Sequence, residues 1–582
     1  MSISLGSWYK KGATAFCVWA PNCNQVDLHL DRRKPIPMEQ DSYGYWRVEA
    51  DAKPGTRYFY SLDKELMRAD PASHHQPNDV HGPSEVVDHA FPWKDKAWQC
   101  PELKDLIIYE LHVGTFTKEG TFDGVRKQLK RLKEFGINAI ELMPVNQFPG
   151  KRNWGYDGVF PFAVQHSYGG PRALKKLIDS CHREGIAVFL DVVYNHMGPE
   201  GNYLNDFGPY FTDTYHTPWG PAMNFDQAGS DEVRRFFLDN LRYWIEQFHI
   251  DGFRVDAIHA IHDMSAYPFL REAADTVRRT AREAGRPMHF IAESDLNDTG
   301  VIKAASQGGF GFDAQWLDDF HHAIHARLTG ERQGYYCDFG TTTQIAKSLR
   351  DGYVYDGKYS VFRDRRHGNS SASMPPDRFI SYAQNHDQVG NRMDGERLST
   401  LIPYERLKVA SALTLLSPFV PMLFMGEEHA ESNPFFFFAS HHDEGLVKAV
   451  REGRAREFAS FGWDKDPPDP FSRSTFNRCI INRNLTKRQK RYAAYMSELV
   501  KIRRKIVEGS YEVQVYGDAI CLDYPNGFCI FTLAESSIPC KGKAQKLLLS
   551  TDEMWGGPKT HVRTKEGQLQ VPADCVVVYE KR

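Results

Sequence analysis

Between residues 106 and 426 the sequence alternates a short apolar run with a stretch that reads as an amphipathic helix, eight times over, and no other feature narrows the possible folds so far. The runs are LIIYEL, INAIELM, IAVFLDVV, DGFRVDA, HFIAES, FDAQW, RFISYAQ and PMLFMG. Short continuous apolar runs joined through helices mark parallel strands buried on both faces. The joining segments include FDGVRKQLKRLKEFG, GPRALKKLIDSCHREG and EVRRFFLDNLRYWIEQFHI, with further helices over 266–284, 341–351 and 404–416. Eight such units predict an α/β fold, a (β/α)8 TIM barrel, whose chemistry sits at the C-terminal ends of the strands.

The flanks change period. Residues 1–100 hold ATAFCVWAP, QVDLHL, GYWRVEA and RYFYSLD between turn segments, an N-terminal β-sandwich. Residues 101–507 then form the barrel, and 508–582, with YEVQVYG, AICLDYP, GFCIFTL, KLLLS and DCVVVYE, a C-terminal β-sandwich. After the third strand, residues 197–226 show no regular period; a loop insertion of this length at the catalytic face is expected to be functional.

Formal charge is only -3, without a block of Lys and Arg, which excludes a nucleic acid or an anionic membrane as partner and favours a neutral ligand. Ten scattered cysteines, none in a CxxC pair, argue against a zinc site or a disulfide framework and suggest reduced thiols in a cytoplasm. The N-terminus lacks an apolar export segment, and the longest apolar stretch, 411–425, is broken by Pro418 and Pro421. An aromatic content of 13% suits stacking on sugars.

Polar residues gather at the strand ends. The third run leads to Asp191, Asn195 and His196, the fourth to Arg254 and Asp256, the fifth to Glu293, the seventh to Asn385, His386 and Asp387. On a strand Arg254 and Asp256 share one face, opposite Phe253, Val255 and Ala257. A structural ion pair would explain that pair alone. Several polar strand ends converging on one axis bring like charges together, which is the mark of a catalytic site. Arg254 is expected to keep Asp256 ionised, and Glu293, behind the apolar HFIA, to be kept protonated by burial and nearby negative charge. Two such carboxylates, with no metal signature, no phosphate loop and no GxSxG elbow, point to glycoside cleavage.

The segments DVVYNH, DGFRVDAIHA, IAES and QNHD, in this order and at these strand positions, resemble the four short motifs of the α-amylase superfamily, glycoside hydrolase family thirteen. YELHVGTFTKEGTFDGV, WGYDGVFPFAVQHSYGGP, NHMGPEGNYL, FTDTYHTPWGPAMNFD and FMGEE narrow the likeness to its trehalose-releasing members over residues 105–440, and FCVWAP resembles the superfamily's starch-binding-like N-terminal modules. The resemblance implies that Asp256 is the nucleophile, Glu293 the general acid/base and Asp387 a third carboxylate that steadies the transition state. Asp191, His196, Arg254 and His386 match supporting positions; Tyr156, as a stacking platform, and Asp157 would line the sugar subsite; His259, Asp295 and Asn297 complete the substrate-binding set.

The reaction so implied is hydrolysis, with retention, of the α-1,4 bond joining a maltooligosaccharide to a terminal trehalose, without cofactor or metal. The substrate would be maltooligosyltrehalose and related α-glucans, with a functional link to a trehalose-forming maltooligosaccharide synthase. A branching or debranching enzyme of the same superfamily shares the catalytic residues, and a non-catalytic carbohydrate-binding protein shares the scaffold. The loop segments favour the trehalose-releasing reading. Trehalose-side subsites are expected in 197–226, in the loop holding Asp295 and Asn297, and in the aromatic stretch 435–438.

Overall fold

The structure is a computed structural model and describes residues 4–460, 467–540 and 542–582. All eight apolar runs become strands of one closed parallel barrel: β1 (Ile108–Leu111), β2 (Ala139–Leu142), β3 (Ala187–Val192), β4 (Gly252–Val255), β5 (His289–Ala292), β6 (Ala314–Trp316), β7 (Phe379–Ser381) and β8 (Val420–Phe424). β8 returns to pair with β1, Met422 opposite Ile108, so no edge remains. The interior below the site is filled by small and branched side chains, Ala139, Ala187, Ala314, Ile108, Ile291, Ile380 and Val420, with Trp316 and Met422. Cys100, Leu103 and Leu106 close it from beneath.

Helices Gly170–Glu184, Ser230–Phe248, Phe269–Ala284, Thr342–Asp351 and Tyr404–Leu415 fall where the periodicity predicts. The first ends at Gly185, whose φ of 76° turns the chain left-handed into β3, a conformation a side chain would strain. FDGVRKQLKRLKEFG, expected as a single helix, divides into Phe122–Arg126 and Leu129–Phe135. The break falls where Gln128 acts as a second N-cap.

Two antiparallel sheets precede the barrel. One orders Gly6–Lys10, Ala13–Trp19, Tyr45–Ala50 and Glu39–Gln40; the other holds Ile36–Pro37, Val26–Leu30, Arg57–Leu62 and Leu66–Arg68, with Ser84–Glu85 also paired to Arg57–Leu62. Gly6–Lys10 and the two- and three-residue strands are too short for a periodicity to register. After the barrel comes a five-stranded sheet built of the predicted strands, and beside it Ser536–Pro539, Gln568–Val571 and Arg563–Lys565 form a second sheet.

The insertion is more ordered than its sequence suggests. Phe211–Thr217 and Gly220–Met223 pair as a hairpin whose register slips between Thr212 and His216, so that neither face shows a clean alternation. Among the described residues no helix is long and apolar enough to cross a membrane.

Candidate active site

β4 ends one residue pair earlier than DGFRVDA suggests. Asp256 still donates its N–H to Val192 O at 3.0 Å, but Ala257 leaves the strand at φ 40° and belongs to no alternating face. A left-handed alanine costs about 1–3 kcal/mol. Its N–H is thereby aimed at Glu293 Oε2, 2.6 Å away. The strain therefore sits beside the carboxyl it orients.

Arg254, buried on β4, is shared rather than paired. Nη1 donates to Asp256 Oδ1 at 2.6 Å and to both oxygens of Asp191 at 2.9 and 2.8 Å, and Nη2 lies 3.6 Å from Glu293 Oε2. One cation thus ties the ends of β3, β4 and β5. Its guanidinium lies 4.3 Å over the Trp316 ring.

The three proposed catalytic carboxylates stay open to differing degrees: the side chain of Asp256 is 11% exposed, Glu293 15% and Asp387 42%. Burial, reinforced by the charges of Asp256 and Asp387 and opposed by Arg254 and His259, raises the Glu293 carboxyl above its ordinary range. Asp191 is closed off; burial pushes it up to about 7 against Arg254. It accepts the Tyr156 hydroxyl at 2.6 Å.

His386 is buried under Tyr156, the rings stacked at 5.1 Å. Its Nε2 donates to the Tyr156 hydroxyl at 2.8 Å and its Nδ1 to Glu110 of β1. Burial opposes the charge, yet Asp387 and Glu110 raise this imidazole to about 9. Glu110 also accepts the His386 backbone N–H at 3.0 Å, joining β1 to the end of β7. Sequence reasoning passed over Glu110, although an acid inside the apolar run LIIYEL is as anomalous as the arginine of the fourth run.

The remaining predicted residues separate into open and enclosed. His196 is buried, its Nε2 3.0 Å from Tyr156 O and its ring covered at 4.3 Å by Trp219, the exposed tryptophan at the hairpin's turn. Asp157, 23% exposed, accepts Asn153 Nδ2 at 2.6 Å. His259 is exposed, and its charge acts on both Glu293 and Asp295. Asp295 pairs with Arg363 at 3.1 Å; burial works the other way, but His259 and Arg363 hold its carboxyl below the ordinary range.

Asn297 departs from expectation. It is buried, with its amide donating to Asp319 Oδ2 at 2.8 Å, and so braces its loop from within rather than facing the cleft. The aromatic stretch is likewise mostly core: Phe435, Phe436 and Phe438 are buried, and Phe435 stacks on Trp154. Only Phe437 stays partly open. Two acids and bases the sequence reading did not single out join the site: Arg363, from the hairpin between β6 and β7, and Asp318 at the end of β6. Burial, then the Glu293 charge, drives the Asp318 carboxyl well up, and Tyr382 donates its hydroxyl to it.

Chemically, a carboxyl whose proton affinity burial raises, beside a carboxylate gripped by arginine and with a third, more exposed carboxylate at the end of β7, can protonate a leaving oxygen while a sugar carbon is attacked.

Comparison with known proteins shows the family. The family model described as alpha amylase, catalytic domain, matches residues 88–218 and 221–508, and carbohydrate-binding module 48 (isoamylase N-terminal domain) matches 4–73. The malto-oligosyltrehalose trehalohydrolase of Saccharolobus solfataricus is 46% identical over 559 residues, covering 94% of this chain and 96% of that one. That of Arthrobacter ramosus is 45% identical, covering 84% and 87%. A crystal structure from Salmonella typhimurium, described as a candidate alpha amylase, superposes with a TM-score of 0.89 at 36% identity, each chain covered in full. The chain belongs to the malto-oligosyltrehalose trehalohydrolase family of the α-amylase superfamily.

Proposed function

We propose that the chain is a retaining glycoside hydrolase that cuts the α-1,4 bond next to the terminal trehalose of maltooligosyltrehalose and releases trehalose. The observation that carries the chemistry is the shared Arg254, which binds Asp256 directly while leaving Glu293 at 3.6 Å, where burial raises its carboxyl above the ordinary range. The trehalose specificity rests on the likeness to relatives of that name across nearly the whole chain.

In the proposed cycle Asp256 attacks the anomeric carbon and forms a glycosyl ester, as Glu293 gives its proton to the departing trehalose oxygen. Glu293, now a base, takes a proton from water, whose oxygen attacks the anomeric carbon on the face the trehalose left; the bond to Asp256 breaks, its carboxylate is released and the starting anomer is restored. Asp387 steadies the positive charge that develops on the sugar. Tyr156 and Asp157 line the subsite beside the cut bond; Asp191, Arg254 and His386 act from behind, through Tyr156 and the carboxylates, because they are buried.

A trehalose leaving group is bent by its α,α-1,1 linkage, and we place its subsites at the Trp219 hairpin, His259, Asp295 and Arg363. A synthase that builds trehalose onto maltooligosaccharide ends would supply the substrate. We place the enzyme in the cytoplasm, where thiols such as Cys100, Cys181 and Cys479, unbridged in the structure, stay reduced. We assign residues 1–100, 101–507 and 508–582 to its three domains.

Incubation with maltotriosyltrehalose and with maltopentaose tests the reading. A site whose polar groups match the bent disaccharide leaves some unpaired on a linear chain, at about 1–3 kcal/mol each. The expected result is free trehalose as first product and a kcat/KM at least about a hundredfold above that for the linear chain. Equal rates would favour an amylase, and α-1,6 transfer a branching enzyme.

A further inference from the structure

Glu200 takes no part in the chemistry above, yet its carboxylate joins segments that are far apart in the chain. It lies in the insertion and is buried. Oε2 accepts the backbone N–H of His442 at 2.8 Å; Oε1 lies 2.9 Å from His442 Nδ1 and 3.2 Å from His81 Nε2. His81 comes from the loop between Leu66–Arg68 and Ser84–Glu85, both strands of the second N-terminal sheet, and its other ring nitrogen meets the Tyr203 hydroxyl at 2.8 Å.

His441, its side chain 1% exposed, stands between two acids: Nδ1 is 3.4 Å from Glu200 Oε2, and Nε2 is 3.5 Å from Asp157 Oδ2. Burial disfavours its charge, but Asp157 and Glu200 hold its pKa above the ordinary histidine value. The line of groups therefore runs to Asp157, whose side chain is 23% exposed. The backbone confirms how tightly these segments meet: a Cβ on Gly198, where the insertion begins, would come within 2.1 Å of Asp157 O. Among the described residues no cluster of this kind is arranged to hold a metal ion.

A buried carboxylate surrounded by histidines from two other segments does more than close a loop. Removing either end would leave a charge unpaired in a dry place. With an acid at ion-pair distance on each side, 3.4 and 3.5 Å, the buried imidazole is held between them, and its charge biases the direction in which the Asp157 carboxylate points. We propose that Glu200 and His441 are positioning residues that aim Asp157 at the bound sugar, and that His81 makes this subsite depend on a loop of the N-terminal sheets. The inference rests on the reading of Asp157 as a subsite residue.

The test uses the full chain and steady-state kinetics on maltotriosyltrehalose, comparing Glu200→Gln, His441→Asn and His81→Ala with Asp157→Asn. If the groups act through Asp157, Glu200→Gln and His441→Asn raise KM about tenfold with kcat changed less than about twofold, as Asp157→Asn does. Combining Glu200→Gln with Asp157→Asn should add little to Asp157→Asn alone, whereas independent sites would multiply. His81→Ala, at a half-exposed side chain, should fold in any case and raise KM about threefold.

A lowered Tm with wild-type KM in Glu200→Gln and His441→Asn, while Asp157→Asn raises KM, would overturn the inference and leave the subsite reading standing. An Asp157→Asn enzyme with unchanged KM would overturn both. Multiplying effects in the double variant, or a wild-type KM in His81→Ala, would break the proposed route.

Discussion

One strand carries two acids with opposite fates. Asp251, just before β4, and Asp256, just after it, are both carboxylates beside cations in a buried barrel. At the lower end Asp251 is sealed: Oδ1 accepts Trp98 Nε1 at 2.7 Å, and Oδ2 accepts His182 Nε2 and Val188 N, each at 2.8 Å. His182 donates its other nitrogen to Asp95 at 2.9 Å, and Asp95 also holds His249 and Arg286. Each acid there meets several donors, and the linker carrying Asp95 and Trp98 covers the barrel's N-terminal face. At the upper end one arginine serves three acids, and Asp256 and Glu293 remain reachable. A closed network of matched charges stabilises; an undersupplied one leaves a carboxylate to do chemistry. The arginine–aspartate pair of the fourth run belongs to the second kind.

The strongest way to break the contrast is at its upper end. Asp256→Ala and Glu293→Gln should each lower kcat by roughly 10²- to 10⁴-fold or more while Tm stays near that of the unaltered enzyme. Azide should restore part of the activity of Asp256→Ala, with inverted product, because the truncated side chain leaves room on that face. Near-normal turnover in either variant would remove the catalytic assignment.

Asp251→Ala attacks the lower end. It leaves His182 and Trp98 without their acceptor, a loss of about 3–5 kcal/mol for one partner of a buried pair. Denaturant unfolding should show that loss, while kcat/KM of the folded enzyme is unchanged. A stable variant with impaired catalysis would show that the two ends are not separate in function.

Arg254→Leu sharpens the comparison through pH. Arg254 opposes the rise of the Glu293 carboxyl, so without it Glu293 keeps its proton to higher pH. The alkaline limb of kcat/KM should move upward. An unmoved limb would mean that the shared arginine does not tune the acid.

The smallest expected effect is on the pH dependence of stability. Burial opposes the charge of His182, but Asp251 and Asp95 raise its pKa above 6.5, so its contribution is complete below pH 6.5 and drains as pH rises through the higher folded value. Asp95 lies below 3.8 because His182, His249 and Arg286 outweigh burial; its contribution is complete above pH 3.8 and is lost only on further acidification. His182→Gln should therefore flatten the alkaline decline of Tm and leave an acid decline. Identical Tm curves would place the lower network's strength elsewhere.

The eight strands were legible because burial on both faces leaves an apolar run whatever the surroundings. The acids at their ends were legible because a charge interrupting such a run is costly without a purpose. Less could be read where a side chain's fate depends on what folds over it. Asp295 and Asn297 stand two residues apart in one loop, yet one faces Arg363 and the other turns inward to Asp319. The four phenylalanines could not be divided into core and cleft by composition, and the slipped hairpin hides its alternation.

By itself, then, the sequence determined the barrel, the flanking sheets and the placing of carboxylates at the strand ends, since each follows from local periodicity or from a polar residue placed at the end of a buried strand. Only the tertiary structure decided which charges are matched and which are left short. Glu110 and His386 are 276 residues apart and meet only when β1 and β7 take their places in one closed barrel. Asp157, His441 and Glu200 come together from three different loops. A charge's energy depends on the distance to its partners in space and on the water they exclude, and neither is written along the chain.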